Sequence, residues 1–260
     1  MGNWVTGKNQ LIAHKGNSWE FPENSKASVK SAIDLGCHVV EIDVSLTRDG
    51  YTVALHGPKL DEMTTGQGKV SKTNLDTIKT LKVKDGKGVP TIEPVPLLED
   101  LLSEFSTSTR WNLDLKAGLP SRKLMRTISK LGIGNRIIFS GLGISQVKKL
   151  ASRYPEANVL VNLSRIDRAV LALRIFNRIY LQLRFRGLKS IPSVVGINAD
   201  YRSIANREIE TVHGLGFEIW VYTVDDHEKM LSLFDANVDS VTTNKPLVMI
   251  QAIRTRLDSK

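Results

Sequence analysis

Short runs rich in β-branched and apolar residues recur eight times along the chain, and between them the apolar residues return at helical spacing. The runs are Leu11–His14, Val39–Leu46, Trp111–Lys116, Arg136–Gly141, Asn158–Leu163, Val194–Asn198, Glu218–Val224 and Ser240–Asn244. Helical patterns include Glu23–Leu35, Leu97–Phe105, Ser121–Leu131, Ser145–Tyr154, Ser203–Leu215 and Asp226–Phe234. Strands that alternate with helices can share a parallel sheet, because each helix carries the chain back to the strand's starting edge. Eight such units with no linker and no break in composition point to a closed (β/α)8 TIM barrel. The length of 260 residues suits one such domain, spanning 1–260.

Hydrophobic residues at 41% and charged residues at 24% exclude a disordered or fibrous chain. Cys37 is the only cysteine, so neither an intramolecular disulfide nor a thiolate metal cluster can form. Residues Met1–Gln10 are polar and lack the apolar centre of a signal peptide, and no run of about 18 apolar residues occurs. A soluble, cytoplasmic protein is expected. The net charge of +9 fits nucleic acid, an anionic membrane or a phosphate-bearing substrate. No helix-turn-helix, zinc or base-stacking motif accompanies it, so nucleic acid is not an expected partner.

One segment departs from the alternation. Arg48-Asp49-Gly50 is a tight-turn signal directly after the second run, and Tyr51–His56 alternates like a returning strand. That hairpin would carry His56 back toward the end of the barrel where active sites lie. Residues 57–96, rich in Lys, Gly and Thr, then form an insertion before the next helix.

Glu41 and Asp43 stand two apart on a strand, so both side chains project from one face. Asp114 and Lys116 repeat that spacing on the next barrel strand, and parallel neighbours lie about 4.8 Å apart. Three carboxylates that close repel one another unless a cation joins them, and an all-oxygen set suits Mg²⁺ or Ca²⁺ better than zinc. The competing reading is a solvated rim paired with lysines, and spacing alone leaves both open. His14 and His56 end their strands at the same mouth, where one imidazole can take a proton and the other supply one. His38, His213 and His227 lie at the starts of other elements and carry no such reading.

The ordered series Ile12-Ala13-His14-Lys15-Gly16, Pro22-Glu23-Asn24-Ser25, Val40-Glu41-Ile42-Asp43-Val44, His56, Val95-Pro96-Leu97-Leu98-Glu99-Asp100, Asn112-Leu113-Asp114-Leu115-Lys116 and Thr242-Thr243-Asn244-Lys245-Pro246 resembles the glycerophosphodiester phosphodiesterase family. The likeness runs through nearly the whole chain in the family's order. It implies a barrel with one divalent metal held by Glu41, Asp43 and Asp114. His14 and His56 match the family's acid and base, and Lys15 and Lys116 its phosphate-holding cations. The implied reaction is hydrolysis of a phosphodiester to a phosphomonoester and an alcohol, by way of a cyclic phosphate where a neighbouring hydroxyl attacks. The implied substrate is a small glycerophosphodiester or a lysophospholipid.

Lys15 replaces the family's usual Arg and loses its bidentate fork. Gly57 stands where Asp usually follows the second histidine, and Asp114 replaces a Glu. Gly57, Gly118 and Thr243-Asn244 resemble instead the sphingomyelinase D and phospholipase D branch of the superfamily. A lipid-directed phospholipase D is therefore the second reading, and a silent phosphate-binding barrel the third.

Two further features complete the expectation. From Arg165 to Lys189 seven basic residues interleave with apolar ones around a single acid, Asp167. Such a stretch suits either peripheral contact with an anionic membrane or the outer face of a barrel helix. Trp220 and Tyr222 share one face of their strand, where an aromatic can stack on a substrate cation or sugar, or pack in the core.

Overall fold

The structure is a computed structural model and describes residues 7–258. Its strands are β1 (Gln10–Ala13), β2 (Val39–Leu46), β3 (Thr52–Ala54), β4 (Lys82–Lys84), β5 (Pro90–Pro94), β6 (Arg110–Leu115), β7 (Ile137–Leu142), β8 (Asn158–Asn162), β9 (Val194–Asp200), β10 (Glu218–Tyr222) and β11 (Ser240–Thr243). Its helices are α1 (Lys26–Asp34), α2 (Leu75–Thr80), α3 (Leu98–Glu104), α4 (Arg122–Leu131), α5 (Ile144–Arg153), α6 (Arg165–Ala172), α7 (Asn177–Phe185), α8 (Asn206–Gly214), α9 (His227–Asp235) and α10 (Pro246–Asp258). The parallel order β1-β11-β10-β9-β8-β7-β6-β2 closes on itself through β1–β2, making an eight-stranded barrel.

Period two decides what each strand does. In β2, Val40, Ile42 and Val44 pack outward against the helices, while Val39, Glu41 and Asp43 turn into the barrel. The interior changes character with height. Ile12, Val39, Ile138, Leu160 and Trp220 form a dry floor, each fully buried. One rung up, those strands present polar residues instead, among them His14, Glu41, Ser140, Asn162 and Tyr222.

Local signals set the helix ends. Ser25 Oγ accepts from Ser28 N to start α1, and Ser121 Oγ accepts from Leu124 N to start α4. Gly132 closes α4 in the left-handed conformation, with φ 68°.

The hairpin forms as the turn signal predicts. β3 runs antiparallel to β2, pairing Val44 with Ala54 and Leu46 with Thr52. Residues 57–96 then pack with the β3 segment into a small second core, in which Val53, Leu55, Leu60, Val70, Ile78 and Val83 are buried.

Candidate active site

The site grows from the C-terminal ends of the barrel strands. Asp43 lies in register with Asp114 on the neighbouring strand, and Glu41 stands one rung lower on β2. One oxygen from each of Glu41, Asp43 and Asp114 falls within 4.8 Å of the others. Glu41 and Asp43 are buried, at 3% and 1% exposure. Burial, then the charges of Asp43 and Asp114, pushes the Glu41 carboxyl well above its usual range. Burial alone would raise Asp43 too, but Lys116 and Lys15 outweigh it and hold that carboxyl at about 2.

Two lysines work against the repulsion. Lys116 Nζ lies 2.8 Å from Asp43 Oδ1 and 2.6 Å from Asp114 Oδ2. Lys15 donates its backbone N–H to Glu41 Oε2 at 2.8 Å, and its ammonium reaches Glu23 at 2.9 Å and Asp43 at 3.7 Å. Lys15 holds a left-handed φ of 57° where the chain turns away from β1. Even so, Glu41 Oε1 and Asp114 Oδ1 are buried without a hydrogen-bond partner. Such orphaned anionic oxygens are costly, and a hard cation would satisfy both. Gly141 leaves room beside Asp114, because a Cβ there would collide with Asp114 Oδ1. The donor set therefore fits Mg²⁺ or Ca²⁺.

The histidines approach this cluster from different elements. His14, just past β1, brings Nε2 to 3.8 Å from Glu41 Oε2. Its other nitrogen, Nδ1, lies 2.7 Å from Asn244 Oδ1. Asn244 is fixed in turn, since its Nδ2 and backbone N donate to Asp225 at 2.7 and 2.8 Å. A carboxylate can only accept there, so Asn244 Oδ1 must face the ring and His14 Nδ1 must carry the proton. Nε2 is left with its lone pair directed at the cluster. Burial, then the charge of Lys15, lowers the His14 pKa against the opposing pull of Asn244 and Asp43. His56, beyond β3, completes a second group, with one ligand atom each from Glu23, Asp43 and His56 within 4.8 Å.

Every strand-derived site residue except one reaches this mouth. Trp220 is fully buried in the barrel floor, where its indole N–H donates to Glu218 Oε2 at 2.7 Å. It shares a face with Tyr222, as the alternation requires, but sits one rung too low to meet a substrate. Tyr222 does line the cavity of about 520 Å³ at the mouth, with Asn112, Ser140, Asn162, Asn198 and Thr242. Gly57 also finds its reason here, because a side chain would press on Ser45 Oγ at 2.8 Å.

Four contributors escape the reading by residue type. Asn24 braces Asp43 twice, donating to Oδ2 at 3.0 Å and accepting from the backbone N–H at 2.9 Å. Glu23 holds Lys15, Asn244 holds His14, and Asp225 holds Asn244. Glu23, Asn24 and Asn244 were visible only within the family resemblance. Asp225 had a faint signal of its own: two acids follow β10, and the α9 N-cap needs only Asp226.

The model of the glycerophosphoryl diester phosphodiesterase family matches residues 14–248. A glycerophosphodiester phosphodiesterase of Caldanaerobacter subterraneus subsp. tengcongensis is 27% identical over 263 residues, covering 95% of this chain and 98% of that protein. One from Bacillus subtilis is 25% identical over 260 residues, covering 90% of this chain and 83% of its own. An Oleispira antarctica phosphodiesterase, solved in complex with the product sn-glycerol-3-phosphate, shares the fold with a TM-score of 0.73 at 24% identity, over 94% of this chain and 96% of that one. With most of its length matched, the chain belongs to the glycerophosphoryl diester phosphodiesterase family of phosphoric diester hydrolases.

Proposed function

We propose that this chain hydrolyses small glycerophosphodiesters to a phosphomonoester and an alcohol, with His14 and His56 as acid and base. The observation that carries the reading is the ordered relay Asp225–Asn244–His14, which leaves an unprotonated Nε2 beside a cluster of unsatisfied carboxylates.

Glu41, Asp43 and Asp114 would hold one Mg²⁺ or Ca²⁺, which when bound supplies Lewis-acid stabilisation of charge on the phosphoryl group. The protein's own groups do the rest. His14 Nε2 takes the proton of the attacking hydroxyl, and Asn244 steadies the imidazolium through the proton already on Nδ1. The attacking oxygen bonds to phosphorus, the bond to the alcohol oxygen breaks, and His56 gives that oxygen its proton. If the attacker is a hydroxyl of the substrate, the product is a cyclic phosphate, and water opens it with the histidine roles exchanged. Lys15 and Lys116, released in part from their carboxylates, bind the non-bridging oxygens as point charges. Asn112 and Asn198 offer the cavity carbonyl oxygens that have no hydrogen-bond partner, which suits the hydroxyls of a glycerol moiety.

Phosphorus NMR tests the proposal. The protein is incubated with Mg²⁺ or Ca²⁺ and glycerophosphocholine, glycerophosphoinositol or lysophosphatidylcholine, with and without a chelator. Chelator-sensitive glycerol phosphate from a deacylated diester is the expected result. Cyclic or open lysophosphatidate from the lysolipid would favour the phospholipase D reading instead. Unchanged spectra with all three substrates and both ions would overturn both.

A further inference from the structure

The basic stretch after β8 folds into two helices, α6 and α7, at the end of the barrel where the site opens. Two of its polar residues, Asp167 and Asn177, are buried. Asp167 is 2% exposed and accepts from Tyr180 Oη at 2.6 Å and Arg184 Nε at 2.8 Å, clasping α6 to α7. Asn177, also buried, donates to Leu171 O and Glu208 Oε1, both at 2.9 Å. Leu171, Leu181, Phe185 and Leu188 pin the pair to the barrel core.

The apolar residues that remain point the other way. Among the described residues twelve large hydrophobic side chains are exposed, and six of them are Ile166, Leu173, Ile175, Phe176, Ile179 and Leu183. Phe176, at the turn between the helices, is 75% exposed. Arg174 and Phe176 both hold φ 56°, a conformation unfavourable for residues with a side chain. The Asn177 bonds and an Arg174–Glu208 ion pair at 3.8 Å hold this turn, so the apolar tip is a fixed projection. Exposed Arg165, Arg174, Arg178, Arg186 and Lys189 surround it, and the stretch has no exposed acid.

We propose that the α6–α7 hairpin docks this protein on an anionic phospholipid bilayer, with Ile175 and Phe176 entering the headgroup–acyl boundary and the arginines meeting lipid phosphates. Charge complementarity selects the occupant. A second copy would set seven cations against the same seven, whereas an anionic surface neutralises them. No helix among the described residues is long and apolar enough to cross a membrane, so the contact is with the surface of one leaflet. At the hairpin's base, Arg168 lies 3.9 Å from Asp200, which is in register with the cavity-lining Tyr222 on the neighbouring strand. Docking therefore sets the mouth near the lipid. Binding itself is independent of the reaction proposed above.

Vesicle sedimentation tests this without turnover. The full chain is mixed with vesicles of phosphatidylcholine, or of phosphatidylcholine with about one-third phosphatidylglycerol. Binding is expected on the anionic vesicles only, weakening at high salt. The double variant Ile175→Ser, Phe176→Ser should bind about tenfold more weakly or worse, while hydrolysis of dissolved glycerophosphocholine stays as in the wild type. A second variant, Arg178→Glu with Arg186→Glu, should lose a similar factor. No preference for anionic vesicles, or wild-type binding by both variants, would overturn the proposal. So would a dimer in analytical ultracentrifugation that dissociates in the apolar variant, with no vesicle binding, because the face would then be a subunit interface.

Discussion

The two ends of this barrel are made from the same strands and obey the same alternation, yet they do opposite work. At the floor, Ile12, Val39, Ile138, Leu160 and Trp220 exclude water and each other's voids. At the mouth, the next inward residues crowd three carboxylates together and leave some of their oxygens unsatisfied. Burial favours folding in one place and opposes it in the other. What the mouth costs in stability is the sign that it was shaped for a ligand rather than for packing.

If that division holds, damage at the two ends should separate cleanly. His14→Ala should lower kcat about 10²- to 10⁴-fold, with the melting temperature nearly unchanged. Trp220→Ala should do the reverse, removing about 3–5 kcal/mol of stability while the molecules still folded turn over normally. Urea unfolding followed by steady-state kinetics on both variants checks this pair. An equal loss of stability in the two would erase the distinction.

Glu41→Gln sharpens the same contrast. Saturating metal, at about 100 times its Kd, should stabilise the wild type by about 2.7 kcal/mol. The variant should lose that gain, yet melt no lower than wild type in chelator, because a like charge has left the cluster. Melting curves with and without Mg²⁺ or Ca²⁺ decide it.

Asn244→Ala is expected to cost about 10- to 100-fold in kcat with little change in KM, since it positions His14 without touching substrate. Its pH–rate profile should also move, because the fixed tautomer is lost. A pure KM effect would assign Asn244 to binding instead.

The smallest effect lies in pH dependence, where Glu218 and Asp43 carry opposite signs. Burial, reinforced by Asp239, pushes Glu218 at the floor from 4.5 to about 7. Its folded form holds the proton more tightly, so stability falls as pH rises from about 4.5 through 7. Asp43 at the mouth is held at about 2 against an ordinary 3.8, so its contribution is lost only as pH falls through that range. Glu218→Gln should flatten the slope between pH 5 and 7 in denaturant midpoints (about that window by linkage).

The fold was legible because periods of two and 3.6 alternate along the chain except at residues 48–96; β2 spans Val39–Leu46, as its pattern predicts. The ends of elements were less so. The expected helix from Glu23 begins at Lys26, because Asn24 adopts φ 59° to brace Asp43 and Ser25 serves as cap. His14, Lys15, Glu41, Asp43, His56, Asp114 and Lys116 do converge, as strand ends of one barrel must. Alternation assigns a face but not a height, which is why it left Trp220 and Tyr222 open between stacking on a substrate and packing in the core. The link from Asp225 through Asn244 to His14 spans 230 residues between ring and amide, and no local pattern announces it.

That link ties the first barrel strand to the last. The His14 ring is steadied by a residue just beyond β11, where β1 and β11 pair. A chain with seven strands assembled can hold the carboxylates of β2 and β6, yet its His14 has no fixed tautomer. Opening the β1–β11 seam alone should therefore silence turnover while the carboxylates of β2 and β6 stay together, so activity is expected to report on that seam and metal binding on the rest of the cluster.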